Sequence, residues 1–434
     1  MIGVLGILAM LLFFMTRMPV AYVMTLVGFA GFSYLVTFSA GCNLLPREIY
    51  STFANYDLTT IPLFIFMGQL VFSGGISSRL YNAAYTWFGS ISGGMAMATV
   101  TSCTAFGAVC GSSPATAATM ATVGVPEMRR FGYKDALSTG AVASGGGLGM
   151  IMPPSVVLIV YGILTEQSIG KLFIAGIMPA LLVTLVFIAT IWMWCLWAPD
   201  QGPAGEREPW SARLRSLRDM GEVILIFLLV MGGLFWGFFT PTEAAGVGVF
   251  GVFAATLFRR QMSWKIFQDT VIETLRSSCM VMVLVAGATV FGKFMAVSRI
   301  PFEIATWIGG FDLPGYAVLA IIVLVYFFGG CIMDALALIM LTIPIFFPVV
   351  QQLGYDPIWF GVIVVLVTQL GVISPPVGIN VYVVYGVTRG LPGPAIPLET
   401  IFKGVMPFLL ATLFSIIIMT IFPGIVLFLP NLLY

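Results

Sequence analysis

The chain has 434 residues, of which 59% are hydrophobic and only 9% charged, against about 25% charged in ordinary soluble domains. Nineteen Lys and Arg against 18 Asp and Glu leave a formal charge of +1, which argues against a nucleic-acid role, and the lack of any His removes imidazole metal sites, general bases and proton relays. A spanning helix takes roughly 20 apolar residues, so the apolar runs describe a multi-pass protein of the lipid bilayer, with about ten spans plus broken segments and no soluble domain.

In chain order, Met1 to Met15 has neither a basic flank nor a cleavage site and reads as a retained first span. Spans are expected near 2–16, 19–40 and 57–74, then a polar-edged helix at 77–89 lying at the interface. Residues 92–130 read as a re-entrant hairpin whose arms flank Gly111, Ser112, Ser113 and Pro114. A helix from 134 breaks at 152–155 and runs to 164, and a long span covers 171–197. The polar interval 198–218 is a connecting loop. The second half gives spans near 222–238, 243–258 and 271–297, a short segment at 300–311, a hairpin at 313–350, a broken helix at 356–388 and a last span at 399–428. The six cysteines form no Cys-x-x-Cys pair and read as small buried apolar residues. Lys293 is expected to snorkel, and Trp192, Trp194 and Trp197 to belong to an interfacial belt.

The halves repeat one another. A shift of 222 residues aligns Pro19 with Pro241, Gly107 with Gly329, Pro126 with Pro348, Gly149 with Gly371, and Pro153-Pro154 with Pro375-Pro376. Gly and Pro fix backbone geometry, so agreement at these positions speaks for a shared fold. At the same shift Ser112 meets Asp334, and the two hairpin tips coincide. With the first hairpin opening to the cytoplasm and the second to the periplasm, every Lys and Arg except Arg47, Lys171, Lys293 and Arg299 falls on cytoplasmic segments. The repeats are therefore expected to be inverted, with the N-terminus outside.

Backbone breaks at membrane depth are tolerated only inside protein or beside a wet cavity, and paired breaks in a duplicated chain point to a transport site. Ser112, Ser113 and Thr116 offer hydroxyl oxygens to a hard cation, and the breaks at Met152 to Ser155 and Ile373 to Pro376 free backbone carbonyls. Each hydroxyl has a plainer alternative in a bond back to its own helix. Asp334, deep in an apolar run, costs about 2.5 to 3.5 kcal/mol on insertion scales; it reads as an ion or gating group, as the N-cap of the returning arm, or as both. The run Ser144 to Gly149 lacks the ending of a phosphate loop and reads as close helix packing.

At the Gly111-Ser-Ser-Pro-Ala-Thr tip, the two Pro-Pro breaks and the Gly-Gly-Cys-Ile-Met-Asp hairpin, the sequence resembles the large membrane subunit of tripartite ATP-independent periplasmic (TRAP) transporters, over essentially the whole chain. The resemblance implies an all-α, multi-pass protein of two inverted repeats that works as an elevator in the bacterial inner membrane. It would be a Na⁺-driven importer of an organic anion, not an enzyme, with no cofactor beyond Na⁺ as coupling ion. Its partners would be a small four-helix membrane (Q) subunit, unfused here, and a periplasmic substrate-binding (P) protein. Scaffold helices would lie at 1–91 and 219–312, a cytoplasmic loop at 198–218, and the moving halves at 92–197 and 313–434. One Na⁺ site would use Gly111, Ser112, Ser113, Met152, Pro153 and Pro154, and the other Gly330, Met333, Asp334, Ile373, Ser374 and Pro375. Ser113, Thr116, Ser155 and Asp334 would face the substrate. The rival reading is a stand-alone divalent anion/sodium symporter that needs no binding protein; a passive channel and an intramembrane enzyme are remoter alternatives.

Overall fold

The computed structural model describes residues 2–14, 16, 18–205, 207–300, 302–303 and 314–433. Most of the segment expected at 300–311 lies outside these, as do Arg17, Asp312 and the first residue of the second hairpin. The described residues fold as helices joined by short connections, without strands. Five helices are long and apolar enough to cross a bilayer: Ile169–Trp197, Pro241–Phe258, Trp264–Ser298, Ala335–Gln352 and Leu398–Ile421. A sixth span is available if Phe38–Phe53 and Asp57–Ser73, bent by 58° at their junction, count as one.

The remaining apolar helices are short because the chain interrupts them at the expected places. Gly94–Cys110 ends on Gly111, whose φ of 65° is the left-handed conformation that glycine adopts without strain. Ser112 is extended, and Ser113–Arg130 returns with Pro114 in its first turn. Asp135–Gly147 runs through one 3₁₀ turn, Leu148–Met150, into a non-helical stretch before Val156–Thr165 resumes. The second half repeats the order: Gly315–Gly330 and Ala335–Gln352 flank the second tip, and Pro357–Ile373 and Ile379–Thr388 flank the second break. Both Pro-Pro bonds, 153–154 and 375–376, are cis.

Three expectations change. Phe38–Phe53 is a helix, capped by the Thr37 hydroxyl, although it carries too many polar residues to read as a span. Trp210–Phe235 starts inside the expected connecting loop, so residues 210–218 are helical. The last span divides at Phe422–Pro423 into Leu398–Ile421 and Gly424–Leu433. Cys103, Cys110, Cys195 and Cys331 are buried as expected, whereas Cys42 and Cys279 are exposed.

Packing relies on backbone contact. Val20–Leu35 lies along Trp264–Ser298, where a β-carbon on Gly28 would sit 2.8 Å from the Phe291 backbone. The buried hydroxyls of Thr60 and Thr242, 2.7 Å apart, join Thr60–Ser73 to Pro241–Phe258. Asp135–Gly147 and Leu398–Ile421 come closer still, with Gly404 against the carbonyl of Ala136 and the backbone of Gly140. At the polar edge, Glu222 accepts from Arg79 at 2.9 Å and also pairs with Arg259, tying Ile76–Phe88 to two neighbouring helices.

Candidate functional site

Each hairpin tip is seated on the broken helix of its own half by glycine facing glycine. A β-carbon on Gly107 would lie 2.7 Å from the Gly149 Cα, and one on Gly149 would lie 2.9 Å from the Ser112 carbonyl oxygen. Gly111 leaves no room for a side chain against the carbonyl of Pro154. In the second half a β-carbon on Gly371 would meet Gly330 at 2.5 Å, and one on Gly330 would lie 3.2 Å from the Thr368 carbonyl oxygen. These contacts bring the main chain of each tip against the main chain of its own break, with the Thr116 hydroxyl beside Gly149 in the first half.

The two tips then meet one cavity of about 180 Å³. Gly111 to Ala115 line it from the first hairpin and Asp334 to Leu336 from the second, while Gln69 and Ser277 face it from Thr60–Ser73 and Trp264–Ser298. Two helix N-termini, those of Ser113–Arg130 and Ala335–Gln352, therefore open onto the same space. The N-terminus of Ser113–Arg130 has no side-chain cap, so its N–H groups and positive dipole end favour an anion there, whereas the Asp334 carboxylate already caps that of Ala335–Gln352.

The expected site residues separate by what their side chains do. Ser112 and Asp334, matched by the repeat, both occupy the N-cap position of a returning arm. Asp334 accepts from the Leu336 N–H at 3.0 Å, whereas Ser112 makes no side-chain cap. Asp334 is thus an N-cap that also lines the cavity. The Ser113 hydroxyl is committed to Asn380, whose amide nitrogen donates to Ser113 Oγ at 2.8 Å and to the Ala143 carbonyl at 3.0 Å. Thr116 donates to the Ser112 carbonyl at 2.7 Å and Ser374 to the Leu370 carbonyl at 2.7 Å. Ser155 donates to the Met150 carbonyl and caps Val156–Thr165.

Thr116 and Ser155 are therefore not among the cavity-lining residues expected to face substrate; Ser113 and Asp334 are. Met152, Pro153 and Pro154 are buried behind the first tip, and Ile373 and Ser374 are buried beside the second, with Pro375 exposed. Gly330 is buried, and Met333 is half-buried.

Two buried amides escaped the sequence reading. Asn380 bridges the first hairpin to the second broken helix. Gln369 is fully buried against Gly147, and among the described residues neither end of its amide has a partner. Both stand alone in apolar runs, and a polar side chain at membrane depth was the signal available.

Paired hairpins, paired broken helices and one shared cavity define the class, a polytopic helical membrane transporter. The chain belongs to the tripartite ATP-independent periplasmic transporter family, DctM component, whose description matches residues 7–425. It is 36% identical over 388 residues to the C4-dicarboxylate TRAP transporter large permease protein DctM of Pseudomonas aeruginosa, covering 89% of each chain. It is 30% identical over 421 residues to the sialic acid TRAP transporter large permease protein SiaM of Vibrio cholerae, covering 96% of this chain and 95% of that one. A third relative, the isethionate TRAP transporter permease protein DctMQ of Oleidesulfovibrio alaskensis, is 33% identical over 421 residues, 96% of this chain but 64% of that protein. The fold is similar to that of the Alcanivorax borkumensis YdaH transporter, with a TM-score of 0.64 at 15% identity over 89% of each chain.

Proposed function

We propose that this large permease subunit imports an organic anion across the inner membrane in symport with Na⁺. A periplasmic binding protein delivers the anion, and a small four-helix subunit completes the membrane part. The observation that carries this reading is the cavity onto which both hairpin tips open, with the uncapped N-terminus of Ser113–Arg130 for a carboxylate or similar anion and one carboxylate, Asp334, for a cation. Relatives named for C4-dicarboxylate, sialic acid and isethionate support the substrate class. The length of the isethionate permease beyond the match leaves room for a fused small subunit.

Na⁺ is a hard cation and takes oxygen ligands. The first site draws on Gly111, Ser112, Ser113 and the main chain of Met152 to Pro154, and the second on Gly330, Met333, Asp334 and Ile373 to Pro375. Glycine contacts bring each tip against its break, which supports both assignments. Bound Na⁺ offsets the charge of Asp334 and leaves the uncapped N-terminus of Ser113–Arg130 to attract the anion, so ion and substrate favour one another electrostatically. Alternating access follows if the hairpins and broken helices slide as one body past Thr60–Ser73 and Trp264–Ser298, in inverted halves with the N-terminus outside. The distribution of Lys and Arg supports that orientation.

The test is uptake of labelled dicarboxylate and sialic acid into proteoliposomes holding this chain with its small subunit, with and without the binding protein. Accumulation should require both the binding protein and an inward Na⁺ gradient. Uptake by this chain alone would favour the stand-alone symporter, and accumulation that survives replacement of Na⁺ by choline would overturn the coupling. Asp334→Asn keeps a good N-cap but removes the charge. It should lower the apparent Na⁺ affinity about tenfold, the loss of roughly one charge-assisted contact, and wild-type Na⁺ dependence would reject Asp334 as an ion ligand.

A further inference from the structure

A second cavity, about 530 Å³ and open to the surface, lies between Trp264–Ser298 and Ala335–Gln352. These two helices also line the central cavity at their earlier turns, through Ser277, Met280 and Val281 on one and Ala335 and Leu336 on the other. They leave that cavity side by side and reach the groove together. Gly292, Ala296 and Arg299 form one wall at helical spacing, and Pro344, Pro348 and Gln352 the other.

The groove is graded in polarity. At its inner end Gly292 faces Pro344, where a β-carbon would still lie 3.8 Å from the ring, so the glycine keeps the space open. At its mouth, about 10 Å further along the helix at 1.5 Å per residue, stand the exposed Arg299 and Gln352. Among the described residues Arg299 forms no ion pair. Glu303, whose N–H bonds the Arg299 carbonyl, is the nearby acid and forms no ion pair with that guanidinium. A largely apolar groove with a cation, Arg299, at its mouth, on a protein surrounded by lipid, is complementary to an amphiphile with a negative head.

We propose that this groove binds one acyl chain of an anionic phospholipid, with the phosphodiester held by Arg299. Arginine suits the task because its planar fork offers two parallel donors to phosphate oxygens. The bound lipid fills the seam between a scaffold helix and the returning arm of the second hairpin, and so braces the hairpin that carries Asp334.

The experiment is native mass spectrometry of the purified, delipidated full chain titrated with phosphatidylglycerol or phosphatidylcholine of matched acyl length. The parent protein should retain phosphatidylglycerol about tenfold better than phosphatidylcholine. Arg299→Ala should erase that preference by lowering phosphatidylglycerol retention alone, and Gly292→Leu should lower retention of both lipids by filling the slot. Equal retention of the two lipids by the parent, or an undiminished preference in Arg299→Ala, overturns the proposal. The exposed Arg299 position decides the matter even if Gly292→Leu fails to fold.

Discussion

Asn380 holds three parts of the interior together through one amide. Its nitrogen serves both Ser113 Oγ, at the first hairpin tip, and the Ala143 carbonyl, on the first broken helix, from a position just past the second break. Replacing it by Leu leaves both acceptors buried without that donor, which costs about 1–3 kcal/mol. Thermal unfolding in detergent should therefore shift down for Asn380→Leu, and less for Ser113→Ala, which removes one partner of an amide that keeps its carbonyl contact. An unchanged transition in Asn380→Leu would show that the bridge contributes nothing to stability. At this scale the sequence located the backbone breaks better than the bonds made by the hydroxyls around them. Thr116, Ser155 and Ser374 sit at the expected breaks, yet each hydroxyl bonds a nearby main-chain carbonyl, as short hydroxyl side chains in helices commonly do. Asn380, between Ile379 and Val381, and Gln369, between Thr368 and Leu370, are fully buried amides that the apolar runs around them concealed.

The hairpin tip and the broken helix behind it depend on two glycine properties at once. Gly111 has both a positive φ and the Pro154 carbonyl where a side chain would begin. Ala at this position meets a backbone penalty of about 1–2 kcal/mol in addition to the collision. Gly111→Ala should consequently reduce folded protein and abolish uptake, whereas Gly132→Ala, also at positive φ but with open space around it, should lose stability without losing transport. Equal behaviour of the two variants would show that the close approach does not matter. These tips were legible in the sequence because Gly and Pro announce backbone geometry directly. Phe38–Phe53 and the start of Trp210–Phe235 were not, because both are helical through charged and polar residues that interrupt an apolar run.

At the scale of the whole molecule, the central cavity has two kinds of wall. Ser113, Ala115 and Asp334 belong to the hairpins, and Gln69, Ser277 and Met280 to helices that pack on one another outside them. If the hairpins travel as one body, a bridge across this cavity stops the cycle. Cysteines at Ala115 and Met280, joined by a short bifunctional thiol reagent with a cleavable disulfide, should arrest uptake, and reductant should restore it. Undiminished uptake in fully bridged protein would show that these walls need not part. The family and helical architecture were readable because the resemblance spans the whole chain. A site shared by the two tips was expected from the repeat; that Gln69 and Ser277 wall it was not, since this depends on how two distant tips approach the same pair of helices.

The glycine contacts between neighbouring backbones, at Gly107 with Gly149, Gly330 with Gly371 and Gly140 with Gly404, have a corollary for how this protein tolerates change. Such positions leave little or no room for a substituent. A saturation library selected for growth on the imported nutrient should accordingly be intolerant at these pairs, as at Gly28 against Phe291, and tolerant at Gly132 and Gly354, around which there is open space.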